Sequence, residues 1–61
     1  MIKVINYKDD TRLLEISFIN GVTFRYFNVP SQLANSFISS NSNIEFFNKN
    51  IRSRFINLKV S

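Results

Sequence analysis

Arg25, Lys49, Arg52, Arg54 and Lys59 face a single acid, Glu45, across residues 25–61. Two aromatic residues, Tyr26 and Phe27, stand directly beside Arg25. Guanidinium and ammonium groups neutralise phosphates, and aromatic faces stack on unpaired bases, so this mixture is the equipment of nucleic-acid binding. Residues 1–24 are balanced, with Lys3, Lys8 and Arg12 against Asp9, Asp10 and Glu15, so the whole net charge of +4 lies in the second part. Solubility alone accounts for a charge of this size; its concentration in one part of the chain is what points to an anionic partner.

Other chemistry is poorly supplied. There is no His and no Cys, which removes the usual zinc ligands, the commonest general base and the thiol nucleophile. Four carboxylates and one glycine, Gly21, do not assemble a paired-acid site or a phosphate-cradling loop. The expectation is a non-enzyme with no catalytic residues, no metal site and no cofactor. Without Cys a disulfide framework is excluded. No run approaches the roughly 20 apolar residues of a membrane span, and Met1-Ile2-Lys3 does not open a signal peptide. The expected address is the cytoplasm, with no membrane partner.

Sixty-one residues make one domain, residues 1–61, whose folding buries only about 60% of the unfolded chain's surface. Seven Phe and two Tyr compensate, because each ring buries roughly 150–250 Å². The first half reads as three strands. Ile2–Tyr7 alternates weakly, and Lys8–Thr11 is a polar turn. Leu13–Phe18 and Val22–Asn28 then flank Asn20-Gly21, a hairpin signal. A two-residue turn would pair Phe18 with Thr23 and Ile16 with Arg25, mixing apolar and charged groups on each face. A three-residue Ile19-Asn20-Gly21 loop pairs Phe18 with Val22, Ile16 with Phe24 and Leu14 with Tyr26, all on one face. Glu15–Arg25 and Ser17–Thr23 then share the other face. A one-residue slip inverts every side chain, so the three-residue loop is the consistent register.

Val29-Pro30 ends the sheet, since proline cannot donate to a ladder. Ser31 reads as an N-cap for a helix carrying Leu33, Ala34, Phe37 and Ile38. Ser36–Asn43, rich in Ser and Asn, reads as that helix's end and a loop. Ser42-Asn43-Ile44-Glu45 has the spacing of a capping box. Ile44, Phe47, Ile51 and Phe55 follow at helical spacing as one stripe against the sheet, with Arg52 and Arg54 flanking it and Lys49 pointing away. Ile56, Leu58 and Val60 alternate, which allows a short C-terminal strand; periodicity does not fix where the second helix stops.

The ordered set Tyr7, Leu14-x-x-x-Phe18-x-x-Gly21, Phe24-Arg25-Tyr26-Phe27-Asn28-Val29-Pro30 and Phe46-Phe47-Asn48-Lys49-Asn50-Ile51-Arg52 resembles the KTSC domain. That family takes its name from its occurrence at the C-terminus of some lysyl-tRNA synthetases, and it also stands alone as a small bacterial domain. The resemblance spans nearly the whole chain. It departs at Phe24, where the family has Tyr, and at Ile44, where the family usually has Gly. The synthetase context implies an RNA partner, tRNA or another structured RNA.

The expected fold is α+β: a three-stranded antiparallel meander, then two short helices packed on one face. The expected function is an RNA-binding module using Arg25, Tyr26, Asn48, Lys49, Arg52 and Arg54. In that role Asn48 and Arg52, at i and i+4, would read phosphate or sugar groups; otherwise they hold the helix to the strand end. Tyr26 falls on the core face in the register above, which makes it a packed ring with its hydroxyl at the rim. Phe27 falls on the opposite face, with Leu13 and Arg25. The alternative function is a protein-interaction module or homodimer formed through an apolar patch or an open sheet edge.

Overall fold

A computed structural model describes residues 1–61. Strands β1 (Ile2–Lys8), β2 (Leu13–Phe18) and β3 (Thr23–Tyr26) lead into helices α1 (Ser31–Ile38) and α2 (Asn43–Asn50), and a last strand β4 (Asn57–Lys59) closes the chain. The sheet is antiparallel throughout, in the order β1-β2-β3-β4. The three-strand meander and two helices are as expected, and the alternating tail is indeed a strand. No helix is long and apolar enough to cross a membrane.

The hairpin adopts the three-residue register. Leu14 faces Tyr26, Ile16 faces Phe24, Glu15 faces Arg25 and Ser17 faces Thr23. Phe18 donates its amide to the Val22 carbonyl at 2.8 Å, and Gly21 returns its amide to the Phe18 carbonyl at 3.0 Å. Asn20 supports the turn by accepting the Val22 amide on Oδ1 at 3.1 Å. Gly21 sits at φ 89° with open space around its Cα. Replacement there is therefore costly through backbone strain rather than collision. Gly21→Val is expected to lose more than about 1 kcal/mol in chemical denaturation, because β-branched residues are strongly disfavoured at positive φ. An unchanged midpoint would contradict this turn.

The chain leaves β3 through Asn28, one of the residue types that tolerate the left-handed region, at φ 61°. This turn buries Val29, whose carbonyl accepts the Tyr7 hydroxyl at 2.6 Å and whose amide donates to the Arg12 carbonyl at 3.1 Å. Two separated pieces of the sequence pattern, Tyr7 and Val29-Pro30, thus meet in one hydrogen bond. Pro30, not Ser31, is the cap of α1: its carbonyl accepts the Ala34 amide, and no side chain caps the helix. Proline's fixed φ suits that extended-to-helical junction, leaving Ser31 as the first helical residue.

Ser42 does occupy the N-cap of α2, but its side chain makes no capping bond, so the capping box does not form. The side-chain Nδ2 of Asn43 performs the local fixing instead, donating to the carbonyls of Phe37 at 2.8 Å and Ser40 at 3.3 Å. It thereby ties the end of α1 and the turn after it to the start of α2. The stripe of α2 is shorter than its periodicity suggests. The helix stops at Asn50, Ile51 caps it, and Phe55 lies in the turn beyond.

Both helices cover one face of the sheet. Leu14, Ile16 and Tyr26 from the sheet meet Ala34 and Phe37 from α1, with Phe47 and Ile51 from α2 and its cap. Phe47 is the hub, with ring centroids 5.7 Å from both Phe18 and Tyr26 and 6.4 Å from Phe37. Phe46, adjacent on the helix, turns toward α1 and stacks on Phe37 at 5.8 Å. A short chain thus builds its core from edge-on and stacked rings, an arrangement worth about 0.5–1.5 kcal/mol per pair beyond the area buried.

Candidate nucleic-acid interface

Between the sheet and α2 lies an open cavity of about 500 Å³. Phe18, Phe24 and Tyr26 line it from the sheet, Ile44, Phe47 and Asn48 from α2, and Arg52 and Asn57 from the segments that follow. Strand alternation places Phe18, Phe24 and Tyr26 on one face, and α2 lays Ile44, Phe47 and Asn48 over them. The floor is aromatic. Tyr26 and Phe47 are buried, whereas Phe18 and Phe24 are half-exposed and offer ring surface to a ligand.

The polar groups stand at the rim. Asn48, Arg52 and Asn57 are exposed. The sole ion pair in the protein joins Arg25 to Glu15 at 2.9 Å, so Arg52 holds no carboxylate. Every buried side-chain polar atom has a partner, and the Tyr26 hydroxyl makes no hydrogen bond within the protein, so it opens onto the cavity. Burial pushes the Tyr26 phenol above its ordinary value, while the Arg52 charge pulls the other way. The hydroxyl accordingly stays protonated at neutral pH and can donate as well as accept.

The structure divides the six candidate residues. Tyr26, Asn48 and Arg52 converge on the cavity. Arg25 lies on the other face of the sheet, opposite Glu15 in the β2–β3 register and tied to it. Arg54 folds back on the end of α2, donating Nε to the Lys49 carbonyl at 3.3 Å. That is a cation at a helix C-terminus, a favourable placement in itself. Lys49 is exposed on α2, one helical step beyond Asn48 and outside the cavity. The i, i+4 spacing of Asn48 and Arg52 does not come from helix geometry, since α2 ends between them.

Sequence reasoning missed Phe18, Phe24 and Phe47 as lining residues, having assigned them wholly to the core. It also missed Asn57, and it counted Lys59 in the basic set without placing it beside the cavity. The β3–β4 register sets Asn57 beside Tyr26 and Lys59 beside Phe24, so both belong to the cavity's side of the sheet. Parity with Tyr26 could have found Phe24. No local signal fixes the pairing of a three-residue terminal strand.

Comparison with known proteins agrees with this architecture. The family model described as the KTSC domain matches residues 1–55. The crystal structure of a KTSC domain protein from Yersinia pestis superposes with a TM-score of 0.90 at 34% sequence identity, covering 98% of this chain and 84% of that one. No curated protein matches the sequence. With the hairpin glycine, the Tyr7–Val29 junction and the aromatic helix all within the matched span, the chain belongs to the KTSC domain family.

Proposed function

We propose that this domain is a non-catalytic RNA-binding module whose site is the cavity between β3 and α2. The observation that carries the reading is an aromatic-floored cavity with an uncompensated guanidinium, Arg52, at its rim. Aromatic surface offers an unpaired base a place to stack, worth about 1–3 kcal/mol per base. Lys59, on the same side of the sheet, supplies a phosphate contact that positions the strand, and Arg52 adds a second positive charge at the rim. Single-stranded or looped RNA fits best, because bases in a duplex are already stacked and paired. The lysyl-tRNA synthetase context of the family agrees with this partner.

Fluorescence-anisotropy titration of labelled single-stranded RNA at two salt concentrations tests the proposal. Charge neutralisation by these two cations on a single strand predicts a log–log salt slope near about −1.4. Absence of binding tighter than about 1 mM at low salt removes the reading. The second reading, a protein-contact or self-association module, is favoured by the sheet's uncovered face, where Val4, Phe27 and Leu58 are exposed. Association through that apolar face would ignore salt over the same range.

A further inference from the structure

The cavity's hydrogen-bonding groups are specific enough to select among bases, an inference that rests on the RNA reading above. Arg52 presents donors only, in a planar fork. Asn48 presents an amide with both donors and an acceptor. Asn57 donates its amide nitrogen to the Phe55 carbonyl at 3.2 Å, which fixes that side chain and leaves its oxygen as a free acceptor. The protonated Tyr26 hydroxyl adds one group of either sense. No carboxylate lines the cavity.

These groups rank the four bases. A guanidinium fork is satisfied by two adjacent acceptors, which guanine offers at O6 and N7 and an unpaired cytosine at O2 and N3. Guanine's N1–H and N2 amine then require acceptors, and the oxygens of Asn48 and Asn57 are the acceptors present. Adenine would pair with an Asn amide but would turn its N6 amine toward Arg52, donor against donor. Cytosine brings a smaller ring to the aromatic floor, and its N4 amine is best met by a carboxylate, of which there is none here. Uracil offers isolated carbonyls and less ring surface to the aromatic floor. A cavity of about 500 Å³ lies within the roughly 300–1,000 Å³ range of small-ligand sites, large enough for a purine. We infer that the cavity takes one unpaired guanine of the bound RNA, packed on the Phe18–Phe24 floor and read by Arg52, Asn48 and Asn57.

The test uses short U-rich RNA strands bearing one central G, A or C, titrated against the intact domain by anisotropy. The G strand is expected to bind about 5- to 150-fold tighter than the A or C strands, the discrimination of one good bidentate pair. Arg52→Lys keeps the charge and loses the fork, so it should keep the salt slope while bringing the G and A strands to within about threefold of each other. Because Arg52 is exposed, this variant should fold normally, and unchanged circular dichroism would verify that it does. Equal binding of all strands by the unmodified domain overturns the guanine assignment and leaves RNA binding standing. So does a preference for G that survives Arg52→Lys. Failure to bind every strand overturns the RNA reading itself.

Discussion

Phe37→Ala is expected to destabilise the domain by about 3–5 kcal/mol, the range for removing a buried ring from a core. Phe37 is fully buried, stacks on Phe46 and meets Phe47, so it supports both aromatic residues of α2 from the α1 side. Neighbouring chain has little freedom to collapse into the void, because Asn43 pins the two helices together through the Phe37 carbonyl itself. Domains this small fall toward the lower end of the usual 5–15 kcal/mol of total stability, so the substitution consumes most of it. Urea denaturation followed by far-ultraviolet circular dichroism measures the effect. A loss below about 1 kcal/mol would mean that Phe37 is not a keystone of the core. Functional loss should accompany the structural one, since Phe47 is both Phe37's neighbour and part of the cavity floor.

The parts of the fold that were legible in the sequence are those where one face must be apolar. Only the three-residue Ile19-Asn20-Gly21 loop puts Leu14, Ile16, Phe24 and Tyr26 together, and the structure has that loop. Proline at position 30 and alternation at positions 56–60 likewise marked the sheet's end and its late return. Helix termini were less legible, because competing polar groups sit within a residue or two of each other. Ser42 and Asn43 both offer capping chemistry, and the geometry lets Asn43 reach the end of α1 while Ser42's hydroxyl makes no cap. The helical stripe overran the helix, since apolar spacing continues through Ile51 and Phe55 into a turn.

The candidate site was half legible for a related reason. Charge and residue type singled out Arg25, Lys49, Arg52 and Arg54 alike, whereas long-range register separates them. Pairing across β2–β3 hands Arg25 to Glu15, and the end of α2 takes Arg54. Pairing across β3–β4 brings Asn57 and Lys59 to the side that Arg52 occupies. The β3–β4 pairing spans tens of residues and leaves no trace in a local pattern, whereas the Glu15–Arg25 pairing was already legible in the hairpin register.

Arg52 and Arg25 therefore form a matched pair for testing where RNA binds. Both are exposed arginines in the basic part of the sequence, and exchanging either for glutamate changes the net charge equally. Through-space attraction alone would treat them alike. A site in the cavity treats them differently. Arg52→Glu removes a charged donor at the rim and places an anion beside the bound strand. Losing one charge-assisted hydrogen bond corresponds to roughly 1.5–3 kcal/mol, about 10- to 150-fold in affinity. Arg25→Glu sets like charges opposite each other at Glu15, a cross-strand cost of up to about 1 kcal/mol in stability, and leaves the cavity intact. The direct measurement is the dissociation constant of one labelled single-stranded RNA for the unmodified domain and these two variants, at one low salt concentration. A loss of tenfold or more for Arg52→Glu, with about threefold or less for Arg25→Glu, is the predicted result. Equal losses, or a larger loss for Arg25→Glu, would contradict the cavity as the binding site and move the interface to the uncovered face of the sheet.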